Sequence, residues 1–131
     1  MKTILNISLA FATFIFIASC CKEGTGGDAT IVTFLQHHGR TINNHVNYPD
    51  TVYVKFNAKD APKSLSDYDT YFVGEEGEDH VHCHNLKCGD YYFFGTAMDS
   101  TGPYRVTGGM HVKIKHKDRA KEQDVDLPVT E

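Results

Sequence analysis

The chain has 131 residues and a formal net charge of −4, a length that suits one small domain and leaves no room for a second core. Seventeen Asp and Glu against thirteen Lys and Arg argue against a nucleic-acid partner, because counterion-release binding needs a concentrated basic face. The densest basic stretch, 113–121, is broken by Asp118 and followed by Glu122, Asp124 and Asp126. Seven Tyr and eight Phe with no Trp supply the apolar area of a β-rich core.

At the N-terminus, Lys2 precedes a largely apolar stretch at 9–17. That charged-then-apolar order is the order of an export signal, and the stretch is shorter than the about 20 apolar residues that span a bilayer. It ends in Ile17-Ala18-Ser19-Cys20, which resembles a bacterial lipobox. The resemblance implies a signal peptide over 1–19 and a lipid on the Cys20 thiol, with the protein held on the outer membrane and facing the periplasm or the exterior. Cys20 suits the anchor better than Cys21, because it leaves the small residue Ser19 before the cut.

Residues 20–27 read Cys-Cys-Lys-Glu-Gly-Thr-Gly-Gly, a small and polar composition expected of a flexible tether. The folded domain is then expected over 28–131. Its first strand is predicted at 29–36, ended by His37-His38-Gly39. Residues 51–57 alternate Val52, Val54 and Phe56 with Tyr53 and Lys55, the pattern of a half-buried strand. Further strands are predicted at 69–73, 79–84, 91–98, 110–115 and 124–129, with turn signals at 74–77, 88–89, 101–103 and 108–109. Pro128 cannot donate to a ladder, so the last strand lies at an edge or ends there. Short strands at this spacing indicate an all-β antiparallel sandwich of about seven strands.

Residues Leu86-Lys87-Cys88-Gly89-Asp90-Tyr91 carry the Leu-x-x-Gly-x-Tyr spacing of a tyrosine corner, in which the Tyr hydroxyl bonds back to the chain. With Val81, Cys83, Tyr91 and Phe93 expected to point inward, the stretch 81–93 is similar to carboxypeptidase regulatory-like and transthyretin-like domains. That resemblance implies an Ig-like sandwich acting as an accessory or binding module, with a protein or glycan partner at its loops. Of the four cysteines, Cys20 and Cys21 sit at the processing site. Cys83 and Cys88 then either close a local bond across the turn or remain free buried thiols.

Three histidines alternate in His80-Val81-His82-Cys83-His84. On a strand they share one face, where two imidazoles could be offered to one Zn²⁺ or Cu²⁺, with His37, His38, Glu78 or Asp79 completing the set. The same alternation would also arise if the face were merely polar opposite a core containing Val81 and Cys83. A third reading is a surface responsive to pH. Enzyme chemistry is poorly represented: Ser64, Ser66 and Ser100 lack a nucleophile-elbow context, and no phosphate-binding glycine loop appears. The expectation is a non-catalytic, lipid-anchored binding module, with metal binding as the alternative.

Overall fold

The computed structural model describes residues 21–131; the expected signal segment 1–19 and Cys20 lie outside the described residues. Among the described residues eight strands follow one another: β1 (Thr25–His37), β2 (Arg40–Thr41), β3 (Thr51–Phe56), β4 (Thr70–Val73), β5 (Val81–Leu86), β6 (Gly89–Asp99), β7 (Tyr104–Ile114) and β8 (Glu122–Pro128). They form two four-stranded sheets. In the first, β1 is the shared strand and pairs with β2, β5 and β8; in the second the order is β4-β3-β6-β7.

Period-two alternation decides which side chains enter the space between the sheets. Ile31, Leu35, Val81, Cys83 and Leu127 come from the first sheet, and Val52, Val54, Tyr91, Phe93, Val106, Val112 and Ile114 from the second; all are buried. Each large aliphatic or aromatic side chain in this layer contributes about 1.5–3 kcal/mol of transfer free energy. Residues 21–131 by themselves supply both sheets, their common core and a disulfide, and so form a self-contained folding unit.

One pairing departs from the expected antiparallel arrangement. β8 runs parallel to β1, from Thr30 opposite Glu122 to Gln36 opposite Pro128. The 3-10 turn His116–Asp118 carries the chain from the end of β7 to the start of β8, and β8 ends at Pro128.

Gly108 and Gly109 are also not a turn. They sit inside β7, opposite Gly95 and Phe94 of β6. A Cβ on Gly108 would lie 2.2 Å from the Pro128 carbonyl oxygen, so the residue permits the close approach of the chain beyond β8, where Thr107 and Thr130 exchange backbone hydrogen bonds.

Of the two readings left open for Cys83 and Cys88, a local bond or free buried thiols, the second holds for Cys83 and neither holds for Cys88. Cys88 is bonded to Cys21, with their Cα atoms 5.1 Å apart, while Cys83 is free and buried. Cys83 lies on the core face of β5, opposite Ile31 of β1, with its sulfur 3.6 Å from the Thr33 hydroxyl. Burial pushes its thiol pKa up to about 12, which keeps it protonated and unreactive. From Cys83 to the end of β5 at Leu86 the strand rises about 10 Å; Cys88 lies beyond that end, whereas a disulfide needs Cα atoms about 4.4–6.8 Å apart.

The same disulfide overturns the expectation of a tether at 20–27 for its described part. Residues 21–27 are docked onto the domain: β1 begins at Thr25, the Lys87 amide donates to the Gly24 carbonyl at 2.9 Å, and the Asp90 amide donates to Glu23 Oε1 at 2.9 Å. Tyr91 completes the clamp. Its buried hydroxyl donates to the Lys87 carbonyl at 2.6 Å and accepts from the Gly24 amide at 3.1 Å, with Leu86 fully buried beside it. Gly89 opens β6 at φ 138°, a conformation in which an L side chain would be strained, and a Cβ there would lie 2.5 Å from the Glu23 side chain.

Candidate metal centre

β5 presents two faces of opposite character. Val81 and Cys83 are fully buried, whereas His82 and His84 are exposed on the outer face, and His80, which immediately precedes the strand, is half-buried beside them. On β1, Val32 is the Cα partner of His82, and the Phe34 ring lies 5.4 Å from the His80 ring. This places His80 and His82 against an apolar patch at the end of the sheet where the loop 74–80 delivers Glu78 and Asp79.

That loop is held by Asn44. Both amide protons of its side chain are used, one on the Glu78 carbonyl at 3.0 Å and one on the His80 carbonyl at 3.1 Å. Its Oδ1 accepts from the Asp50 amide at 2.8 Å, and its own backbone amide donates to Glu78. Asn44 therefore ties residues 42–50 to residues 74–80 and sets the backbone from which two of the candidate ligands project. Nothing in the local sequence around Asn44 marks this role, because its partners lie 34 and 36 residues away.

Three ligand atoms converge there. His80 Nε2 lies 3.0 Å from His82 Nε2 and 3.4 Å from Glu78 Oε2, and the donor atoms of Glu78, His80 and His82 all fall within 4.8 Å of one another. The Asp79 carboxylate accepts from His80 Nδ1 at 2.9 Å, which puts the proton of a neutral His80 on Nδ1 and leaves Nε2 as a lone pair facing the group. Glu78 Oε2 is buried without a hydrogen-bond partner among the described residues. A carboxylate oxygen and an imidazole lone pair thus face each other, an arrangement that a shared proton or a cation would stabilise. Two donors bound to one Zn²⁺ at about 2.0–2.1 Å are separated by about 2.9 Å at a right angle and about 3.4 Å at the tetrahedral angle, and the two imidazole nitrogens fall in that range. A carboxylate on the far nitrogen of a ligating histidine is a common orienting partner in metal sites.

His84 and His37 do not join this group. His84 turns the other way along the strand: its Nδ1 lies 3.3 Å from the His82 carbonyl oxygen and its ring packs edge-on to Phe72, 5.3 Å away. His37 has the phase of Thr33 and Leu35, so it lies on the inner face of β1, opposite in direction to the β5 histidines. It is buried and bonds Asp99 at the end of β6 through Nδ1 at 2.6 Å, joining the two sheets. The bond from His37, with further donors from Thr101, holds the Asp99 carboxyl far below the usual carboxylate range. His37 Nε2 lies 3.9 Å from Glu131 Oε1, and its ring stacks on His38 at 4.0 Å. His37, His38 and Glu131 form a second cluster of potential ligands, at the rim of a cleft of about 430 Å³ that His45 and Arg40 also line.

No family model, no curated protein and no solved structure matches this chain.

Proposed function

We propose that this chain is a lipid-anchored β-sandwich of the bacterial envelope that acts by binding rather than catalysis, and that the outer face of β5 binds a divalent transition ion such as Zn²⁺ or Cu²⁺ through Glu78, His80 and His82. The observation that carries the metal reading is the approach of His80 Nε2 to both His82 Nε2 and the unpartnered Glu78 oxygen. Mixed imidazole and carboxylate ligands suit these ions, and a three-residue set that opens to solvent through the exposed His82 leaves a coordination position for water or for a group from a partner. Anchoring through Cys20 rests on the Ile17-Ala18-Ser19-Cys20 sequence. The similarity to carboxypeptidase regulatory-like domains is supported by the sandwich architecture and by the Tyr91 hydroxyl bond to Lys87.

Calorimetric titration of residues 21–131 with Zn²⁺ and with Cu²⁺ tests the metal reading. One ion per chain at submicromolar affinity is expected, lost in His80→Ala/His82→Ala and retained in His84→Ala. Binding that the double variant leaves unchanged would refute it. For the anchor, Cys20→Ala should abolish incorporation of a fatty-acid analogue in cells, and continued labelling would exclude Cys20 as the acceptor.

A further inference from the structure

The strand directions assign every loop to one of two ends of the sandwich. The 74–80 loop and the chain end at Glu131 lie at one end; the N-terminal entry, the 87–88 turn and residues 115–121 lie at the other. The first end carries Glu75, Glu76, Glu78, Asp79 and Glu131 against Arg40 and Arg105, and is acidic. The second carries Lys22, Lys87, Lys117, Arg119 and Lys121 together with Glu23, Asp28, Asp118 and Glu122, with Lys121 paired to Asp118 at 3.3 Å.

At the second end, Lys22, Lys87 and Arg119 line a shallow cleft of about 290 Å³ beside Cys88, with Asp28 as the opposing charge. All three cations are exposed. Neither Lys22 nor Lys87 has an ion-pair partner among the described residues, and Arg119 is oriented by one nitrogen bonded to the His116 carbonyl at 2.9 Å. The three come from separate parts of the chain and meet because the Cys21–Cys88 disulfide pins the N-terminal segment to the 87–88 turn, and because β8 begins alongside β1.

We infer that this cleft is a binding site for the phosphate of anionic phospholipid headgroups and seats the sandwich directly on its membrane. The inference rests on the proposed lipidation of Cys20. Cys20 is one residue, about 3.8 Å of chain, from the disulfide-held Cys21, so the acyl chains enter the bilayer beside the cleft. Lys22, Lys87 and Arg119 are thereby brought within about a Debye length of the headgroups, where attraction between basic side chains and an anionic leaflet operates. The acidic end, with Glu78, His80 and His82, then faces away from the bilayer.

The test uses residues 20–131 carrying Cys20→Ala, made without a lipid, so that binding reports the cleft alone. The chain is floated with vesicles of phosphatidylglycerol and phosphatidylcholine or of phosphatidylcholine only. Salt-sensitive binding to the anionic vesicles is expected, with a loss on the order of a hundredfold in Lys22→Ala/Lys87→Ala/Arg119→Ala, at about fivefold per cation removed. Lys22→Ala/Lys87→Ala, which keeps the bond from Arg119 to His116, should lose about thirtyfold by the same estimate. Arg40→Ala/Arg105→Ala, at the acidic end, should bind as the parent does. Equal binding to both vesicle types, full binding by the triple variant, or capture of inorganic phosphate without capture of anionic vesicles would each overturn the inference. The lipid anchor is judged separately by the fatty-acid labelling, which this experiment does not involve.

Discussion

Removing the disulfide should cost this domain a large share of its stability. Cys21 and Cys88 are 67 residues apart in sequence, and in the chain-entropy account closing a loop of that size removes about 15 cal/mol/K from the unfolded ensemble, or about 4 kcal/mol at 25 °C. Domains of this size have a total stability of about 5–15 kcal/mol, so the loss should be plain. Cys88→Ser, Cys21→Ser and the double variant should be destabilised alike, since each removes the same bond and the effects cannot add. In urea the midpoint should fall by about 2 M, taking a slope of about 2 kcal/mol/M, and the oxidised parent should match the variants once reductant is added. The docking contacts of Glu23 and Gly24 would loosen with the bond. A midpoint shift worth less than about 1 kcal/mol, or peptide mapping under non-reducing conditions that joins Cys88 to Cys83, would refute the reasoning.

Tyr91→Phe should lower stability by about 1 kcal/mol or more in the same melts, because the Lys87 carbonyl and the Gly24 amide lose a buried partner; an unchanged melt would show that the hydroxyl holds nothing. Burial holds the Asp50 carboxyl up at about 7 against an ordinary 3.8, and neither of its oxygens has a hydrogen-bond partner among the described residues. The folded chain therefore binds this proton more tightly than the unfolded chain, so the contribution of Asp50 is fully present below the ordinary value and is lost as pH rises towards the folded one. Asp50→Asn should gain up to about 4 kcal/mol at pH 8, reduced to about 2 kcal/mol by the buried amide it introduces. It should also flatten the fall in stability over that range, and parallel pH profiles for the two proteins would count against the assignment. Asp99 acts in the opposite sense: its lowered pKa contributes stability above the ordinary carboxylate range that is lost as pH falls, so Asp99→Asn should narrow the gap between neutral and acid melts.

Much of the fold was legible because it rests on local periodicity. Alternation at 51–57 and 79–84 marked β3 and β5 and predicted that Val81 and Cys83 would point inward, opposite the histidines. The Leu-x-x-Gly-x-Tyr spacing likewise involves atoms within six residues, and the Tyr91 hydroxyl does meet the Lys87 carbonyl. Gly108 and Gly109 were misread because a glycine that permits close approach looks the same in one dimension as a glycine in a turn. Of the candidate metal centre, His80, His82, Glu78 and Asp79 were all within sight in one short stretch, but Asn44, which positions their loop, was not.

From the residues alone came the all-β class, the succession of strands along the chain apart from β2, and the shared face of the histidines at 80–84, since side-chain direction on a strand follows from backbone geometry over two residues. Tertiary structure alone decided the parallel β1–β8 pairing, the bond from Cys21 rather than Cys83 to Cys88, the turning of His37 and His84 away from the other histidines, and the meeting of Lys22, Lys87 and Arg119 at one end. Each of these depends on which distant segments the sheets bring side by side, and the energy that selects those neighbours is the burial of a common core rather than any property of the residues that end up touching.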